Sequence, residues 1–320
     1  MPLKYMESGN LVLNERLAVV TGAAGFIGRY VCRRLSEQGW QVFGLGHGNW
    51  TESDYLKWGI VKWNEGDVSL DNLKLLTNGI SPEIIVHCAG GGSVQASYEL
   101  PCKDFERTVC STSMVLEFVR KYCSSNTRLV MASSAAVYGD HGPVDLSESF
   151  SLNPISPYGF HKVAAEKLCE MYSQFFSTKI SIVRLFSVYG DGLQKQLLWD
   201  ALNKFEKGQT HFFGTGDELR DWIHVSDAAE LLCSAAIAKQ DIYEIYNGGN
   251  AKSTTKKVLL TLAELSKLEA PLQFDGIAHE GNPKQLTANC KNAREKLNWV
   301  PQTNLTDGLM QYVNWHKQRK

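Results

Sequence analysis

Short runs of apolar residues alternate with stretches whose apolar positions fall three and four apart over the first 185 residues. The first run, Leu17-Ala18-Val19-Val20-Thr21, is closed by Gly22 and predicts a buried strand. Ile27, Tyr30, Val31 and Leu35 follow at helical spacing, and Gly39 marks the stop. Further strands are predicted at 42–45, 60–63, 84–88, 128–131 and 180–185. Phe105, Val109, Thr112, Leu116 and Val119 share one helical face, and a long helix is predicted over 156–176. This alternation predicts right-handed βαβ units, hence an α/β fold with a doubly wound parallel (Rossmann) sheet. After Ser187 the pattern loosens, and glycine and polar residues gather at Gly190-Asp191-Gly192 and Gly214-Thr215-Gly216. The expected division is a first domain over 1–186 and a smaller C-terminal lobe over 187–320, with segments near 221–250 returning to the first.

The segment Thr21-Gly22-Ala23-Ala24-Gly25-Phe26-Ile27-Gly28 leaves a predicted strand and opens a predicted helix. In that context three glycines at this spacing point to a dinucleotide. Gly22 permits a tight turn, Gly25 clears the pyrophosphate, and Gly28 allows close helix packing. The helix N-terminus offers free N–H groups and partial positive charge to the diphosphate. An ordinary tight βα turn explains one or two glycines, not three. An acid is expected about 20 residues on, at the end of the second strand, to hold the adenosine ribose. The strand instead ends Leu45-Gly46-His47-Gly48-Asn49. His47 and Asn49 suit the neighbourhood of a 2′-phosphate, but no arginine is evident there. NAD and NADP therefore both remain open as the cofactor, written NAD(P).

Tyr158 and Lys162 stand four apart and project from one face of the long helix. An ammonium beside a phenol favours the phenolate, which can exchange a proton with a substrate hydroxyl near neutral pH. The lysine can also reach the nicotinamide ribose. A Tyr-x-x-x-Lys pair alone is weak. Its setting adds weight, because Ser133 and Ser134 end the fifth strand at the edge where such sheets bind ligands. Ser134 can donate to the same hydroxyl, whereas the plain reading of both serines is a turn.

Composition narrows the class. The chain has 320 residues, 43% of them hydrophobic and 21% charged, with a net charge of −1. These values fit a soluble globular protein and offer no basic surface for nucleic acid. No apolar run approaches the roughly 20 residues of a membrane helix, and the N-terminus lacks a signal-peptide core. The eight cysteines show no C-x-x-C pair and no zinc spacing, so buried free thiols, no metal and a cytoplasmic location are expected.

With these motifs the chain resembles the extended short-chain dehydrogenases/reductases, in the NAD-dependent epimerase/dehydratase group acting on nucleotide sugars. The motifs are the 21–28 turn, Gly66-Asp67-Val68, His87-Cys88-Ala89-Gly90, residues 133–139, Tyr158 to Lys162, residues 184–190 and residues 220–227. The resemblance covers nearly the whole chain and includes the UDP-sugar 4-epimerases. It implies Asp67 and Val68 at the adenine, Ala89 and Gly90 along the cofactor, and Phe26 and Ile27 in the turn. It implies substrate contacts at Ser93, Ser187, Lys195, Phe213, Arg220 and His279, of which Arg220 would grip phosphate rather than pair with Asp217 or Glu218. Its partner is a nucleotide diphosphate sugar, with a role in polysaccharide biosynthesis. It also implies a homodimer built from helices near 105–123 and 156–176.

The resemblance sorts the reactions too. Dehydratases of the group carry Asp-Glu after the Ser/Thr, decarboxylases a Glu, and epimerising reductases a Cys. Ala135 and Ala136 stand there in this chain. What remains is a 4-epimerase working through a transient 4-keto sugar, which is preferred, or a nucleotide-sugar 4-ketoreductase or dehydrogenase. A non-catalytic dinucleotide-binding protein is a third reading, and the intact Ser134, Tyr158 and Lys162 argue against it. The chain departs from the group's usual asparagines at Thr108 and Ser187. His279 stands in place of a diphosphate-clamping arginine, and Lys195 or Lys284 is the expected compensation.

Overall fold

The computed structural model describes residues 16–239, 242–277 and 283–319. His279 lies outside the described residues. Seven parallel strands form the central sheet. From one edge to the other they are Tyr243–Gly248, Lys179–Leu185, Arg128–Ser134, Ile84–His87, Leu17–Thr21, Gln41–Gly46 and Ile60–Glu65. The order reverses direction between Leu17–Thr21 and Ile84–His87, which opens a crevice at the carboxyl ends of those two strands.

Alternation along each strand builds two hydrophobic layers. Ala18, Val20, Val42, Ile84, Val86 and Val130 face one way, onto Val31, Cys32 and Leu35 of the helix Phe26–Glu37 and Leu231, Leu232 and Ala235 of the helix Val225–Ile237. Leu17, Val19, Phe43, Leu45, Ile85 and Leu129 face the other, onto Leu116 and Val119 of Ser111–Tyr122 and Ala165 and Cys169 of Pro157–Phe176. Both layers are completely covered, which is why the strands read as continuous apolar runs. The helix Leu70–Thr77 has no counterpart among the elements the pattern predicts. It is eight residues long, and its Leu75 is exposed, so its apolar positions show no clean period.

A third cluster gathers Tyr189, Leu198, Leu202, Trp222, Leu259, Leu262, Leu309 and Tyr312. Beside it runs a second sheet of Ala251–Thr254, Leu219–His224, Gln285–Ala288 and Asp145–Leu146, with Ser187–Tyr189 paired to Leu219–His224. The eight cysteines are free, but they are not uniformly buried: Cys102 and Cys110 are exposed, on short helical turns whose apolar faces point elsewhere. No helix among the described residues is long and apolar enough to cross a membrane.

Two buried polar knots pin the layers together. Arg184 makes a bidentate ion pair with Glu166, the guanidinium and carboxylate being only 3% exposed. The same guanidinium donates to Tyr138 Oη, which donates to Asn247, and Ser133 donates to Glu166 at 2.5 Å. Burial opposes the Arg184 charge, but Glu166 and then Tyr138 outweigh it and hold the guanidinium protonated. The second knot is His87, whose Nδ1 lies 2.6 Å from Thr21 Oγ1 and whose Nε2 lies 3.2 Å from Thr112 Oγ1. Burial, and secondarily the Lys162 charge, pushes the His87 pKa down to about 3.

The sign of that shift makes a prediction. His87 stays neutral in the folded chain, while in the unfolded chain it takes a proton near its ordinary value of about 6.5. Its contribution is therefore full above about pH 6.5 and is lost as pH falls toward 3. Between about pH 7 and 4.5 the loss is on the order of 2–3 kcal/mol. Urea unfolding of the wild type and His87→Gln across that range should give a shallower acid dependence for the variant.

Candidate active site

The carboxyl edge of the sheet is where the site assembles. Gly22 leaves the first strand with φ +65°, a left-handed conformation that favours glycine, and lies against the end of the fourth strand. A Cβ there would stand 2.6 Å from Ala89 N. A Cβ on Gly28 would stand 2.1 Å from the Gly22 carbonyl oxygen, so Gly28 packs the helix onto its own turn rather than onto the sheet. Gly25 is the N-cap of Phe26–Glu37, with no side-chain cap and no acid in the first turn. The helix N-terminus is thus left for an external anion. Phe26 and Ile27 contribute backbone there, because their side chains pack into the third and first hydrophobic clusters.

The neighbouring loops close around this turn. Ala89 N approaches Thr21 Oγ1 at 3.4 Å, and Gly90 has φ +149°. Gly91 N donates to Thr108 Oγ1 at 2.9 Å. Thr108 lies in a π-helical turn, Glu106–Cys110, which interrupts the helical path into Ser111–Tyr122. At the end of the third strand Asp67 is exposed and its Oδ1 meets His47 Nε2 at 2.8 Å. Val68 is half-buried against the second cluster.

Ser134 ends the fifth strand and caps the turn Ala135–Val137, its Oγ accepting from Ala136 N at 3.2 Å. Ser133 points inward to Glu166 instead, which separates the two serines by role. The helix Pro157–Phe176 begins with Ser156 as N-cap, accepting from Gly159 N, and with Pro157 in the first turn. A Cβ on Gly159 would lie 2.6 Å from Ala136 O. Glycine there lets the helix start press against the 135–137 turn, which Ser134 caps.

Tyr158 N donates at 3.0 Å to Ser97 Oγ, a fully buried hydroxyl on the helix Val94–Glu99. Lys162 is buried, with Nζ donating to Ala132 O at 3.0 Å and lying 5.9 Å from the Tyr158 ring centroid. A Cβ on Gly90 would be 3.3 Å from that ammonium, so the glycine keeps a path open between Lys162 and the crevice. His161, adjacent on the helix, pairs with Asp104 at 2.6 Å and anchors it to Pro101–Phe105. Ser97 and Glu166 have no local sequence signal, because their partners lie 61 and 18 residues away.

The residues expected at the substrate are more dispersed. Ser93 caps Val94–Glu99, its Oγ accepting from Ala96 N. Lys195 sits at the cleft mouth against Gly92, where a Cβ would be 2.7 Å from Nζ, and desolvation, then Arg107, lowers its pKa. The next residue, Gln196, takes φ +67° and donates to Gly92 O at 2.9 Å. Ser187 opens the strand that pairs with Trp222. Arg220 donates to Leu219 O, while the Glu218 carboxylate is occupied by Thr215 N and Oγ1. Burial lowers the Arg220 pKa, opposed by Glu218 and Asp140. Phe213 is exposed, on the rim of two clefts of about 460 and 750 Å³. Neither cleft is lined by Ser134, Tyr158 or Lys162.

The family model for the NAD dependent epimerase/dehydratase family matches residues 18–249. The chain is similar to a putative UDP-glucose 4-epimerase of Methanocaldococcus jannaschii, with 29% identity over 94% of this chain and 98% of the relative. A UDP-glucuronate 4-epimerase of Thermodesulfobacterium geofontis is 28% identical over 94% of this chain and 96% of its own. Among solved structures, a UDP-glucuronic acid 4-epimerase of Bacillus cereus in complex with UDP-glucuronic acid and NAD superposes with a TM-score of 0.83. It shares 25% identity over 95% of this chain and 100% of its own.

The Gly28 contact is testable. Gly28→Ala places a methyl against a backbone carbonyl that cannot yield. If that helix N-terminus receives a dinucleotide's diphosphate, the substitution should weaken dinucleotide binding at least about tenfold by misplacing it. Quenching of tryptophan fluorescence by added dinucleotide reads this, with far-ultraviolet circular dichroism unchanged.

Proposed function

The chain belongs to the NAD-dependent epimerase/dehydratase family, and on that footing we propose that it is a nucleotide-sugar 4-epimerase using NAD or NADP. The observation that carries this reading is the start of the helix bearing Tyr158 and Lys162 pressed, through Gly159, against the turn that Ser134 caps, where Ala135 and Ala136 follow it in sequence. Gly22, Gly25 and Gly28 with the helix N-terminus would hold the cofactor diphosphate, and Ala89 and Gly90 would line its path. Bound there, the nicotinamide supplies hydride acceptance and return at the sugar carbinol.

The chain's own residues handle the proton. Tyr158 takes it from the sugar 4-hydroxyl and gives it back, while Ser134 hydrogen-bonds the same oxygen. Lys162, fixed by Ala132 O, supplies positive charge beside the phenol. Ala135 and Ala136 offer no acid or base where the group's dehydratases and decarboxylases carry one. Ser93, Ser187, Lys195, Phe213 and Arg220 are proposed at the substrate, with 187–320 as the substrate lobe and 1–186 as the cofactor domain. A 4-ketoreductase or dehydrogenase is the second reading, favoured by the glycine at position 46 where NAD users of this fold carry an acid.

Exposed Phe105, Phe160, Phe175 and Phe176 on two neighbouring helical segments support a homodimer built on those helices. Eight free thiols support a cytoplasmic, reducing location.

Tyr158→Phe should lower kcat by about 10²–10⁴-fold and leave dinucleotide binding within about twofold. Near-normal turnover of a UDP-sugar by this variant would sink the mechanism. UDP-glucose and UDP-glucuronic acid incubated with enzyme should be inverted at C4 with no net absorbance change near 340 nm, whereas a reductase would consume reduced cofactor in proportion to substrate. Phe160→Asp should convert a dimer to a monomer in light scattering coupled to gel filtration.

A further inference from the structure

The first N–H groups of an α-helix have no acceptor within it. In Pro157–Phe176 the opening proline has no N–H to satisfy. Gly159 N donates to Ser156 Oγ at 3.1 Å, and Phe160 N to Ser156 O at 3.0 Å. The cap therefore serves every early N–H except that of Tyr158. Its acceptor comes from 61 residues away in the chain: Ser97 Oγ, at 3.0 Å.

Ser97 is fully buried on the helix Val94–Glu99. A serine hydroxyl has one proton, and here it goes to Val94 O at 2.6 Å. The oxygen thus turns a lone pair, not a hydrogen, toward Tyr158 N. Ser97 N donates to Ser93 O at 3.3 Å, so the backbone behind the hydroxyl is tied as well.

The same segment meets the helix start at two further places. Tyr98 Oη donates to Ile155 O at 3.1 Å, and Asp104 Oδ2 lies 2.6 Å from His161 Nδ1. These ties flank Tyr158 on either side along the chain. Only the Ser97 bond reaches the residue that carries the phenol. Tyr158 Oη makes no hydrogen bond among the described residues, so the ring is placed through its backbone. Lys162 is held separately, by Ala132 O. The distance between phenol and ammonium therefore depends on two anchors, Ser97 for the first and Ala132 for the second.

We propose that Ser97 is a positioning residue for the proton transfer, setting the place of the Tyr158 phenol by accepting from Tyr158 N. The proposal rests on the reading that Tyr158 exchanges a proton with a sugar hydroxyl. Ser97 acts through Tyr158 alone. A reacting group misplaced by about 1 Å can cost on the order of 10²-fold in rate. Loss of the Ser97 hydroxyl therefore shows in kcat and not in KM.

The test is steady-state inversion of UDP-glucose and UDP-glucuronic acid by folded variants, with dinucleotide affinity measured beside it. Ser97→Ala should lower kcat about 10–100-fold, with KM and dinucleotide affinity within about twofold. Ser97→Cys is close in size but a weak acceptor, so it should lose kcat too, and it covers the case in which Ser97→Ala does not fold. Tyr98→Phe breaks a neighbouring tie between the same two elements at an exposed residue, and should keep kcat within about twofold. Groups that act through one another are not additive, so Ser97→Ala combined with Tyr158→Phe should match Tyr158→Phe alone within about threefold. Unchanged kcat in folded Ser97→Ala or Ser97→Cys overturns the proposal. So does a double variant whose losses multiply, or an equal loss in Tyr98→Phe, since each marks a general packing role. Absence of turnover of both sugars by the wild type overturns the proton-transfer reading and the proposal with it, a different result from an active wild type matched by its variants.

Discussion

A guanidinium and a carboxylate, both almost wholly shut away from water, fix the helix on which the chemistry depends. Arg184 comes from a central strand and Glu166 from the helix one turn beyond Lys162. Burying two charges is costly, and the cost is offset only when every lone pair and proton finds a partner. Here Glu166 accepts from Ser133 as well as Arg184, and Arg184 also donates to Tyr138 and to the Glu148 carbonyl. The network therefore tolerates one rotation of the helix and one register of the strands. It links the strand ending in Ser134 to the helix bearing Tyr158 and Lys162 from behind, leaving the front of the crevice for ligands.

The crevice is otherwise organised by what is missing. Glycines at 22, 28, 90 and 159 mark places where backbone, ammonium or carbonyl comes too close for a side chain. The two alanines after Ser134 remove acids and bases rather than supply them.

Much of this was legible from the residues alone, for a physical reason. A strand covered on both faces writes itself as an apolar run, and a phosphate turn writes itself as glycines at fixed spacing between strand and helix. Ser134 and Tyr158 could be picked out because they end or open such an element, and Lys162 because it stands one helical turn beyond Tyr158. Ser97 and Glu166 could not, since their partners are distant and their neighbours carry no period. Cys102 and Cys110 looked buried because cysteine usually is, but they sit on the outer faces of short helical turns.

The π-helical turn at Glu106–Cys110 has a geometric consequence of its own. One extra residue in a helical turn rotates everything after it by about 100°, since an α-helix uses 3.6 residues per turn. Within the bulge, Thr108 Oγ1 accepts from Gly91 N; downstream, Val115, Leu116 and Val119 face the sheet. The bulge is a gear between a loop-facing register and a core-facing one. Removing a single residue there would leave the helix intact as a helix, yet turn either its hydroxyl away from the loop or its leucine away from the core. Length, more than identity, is what such a segment must keep.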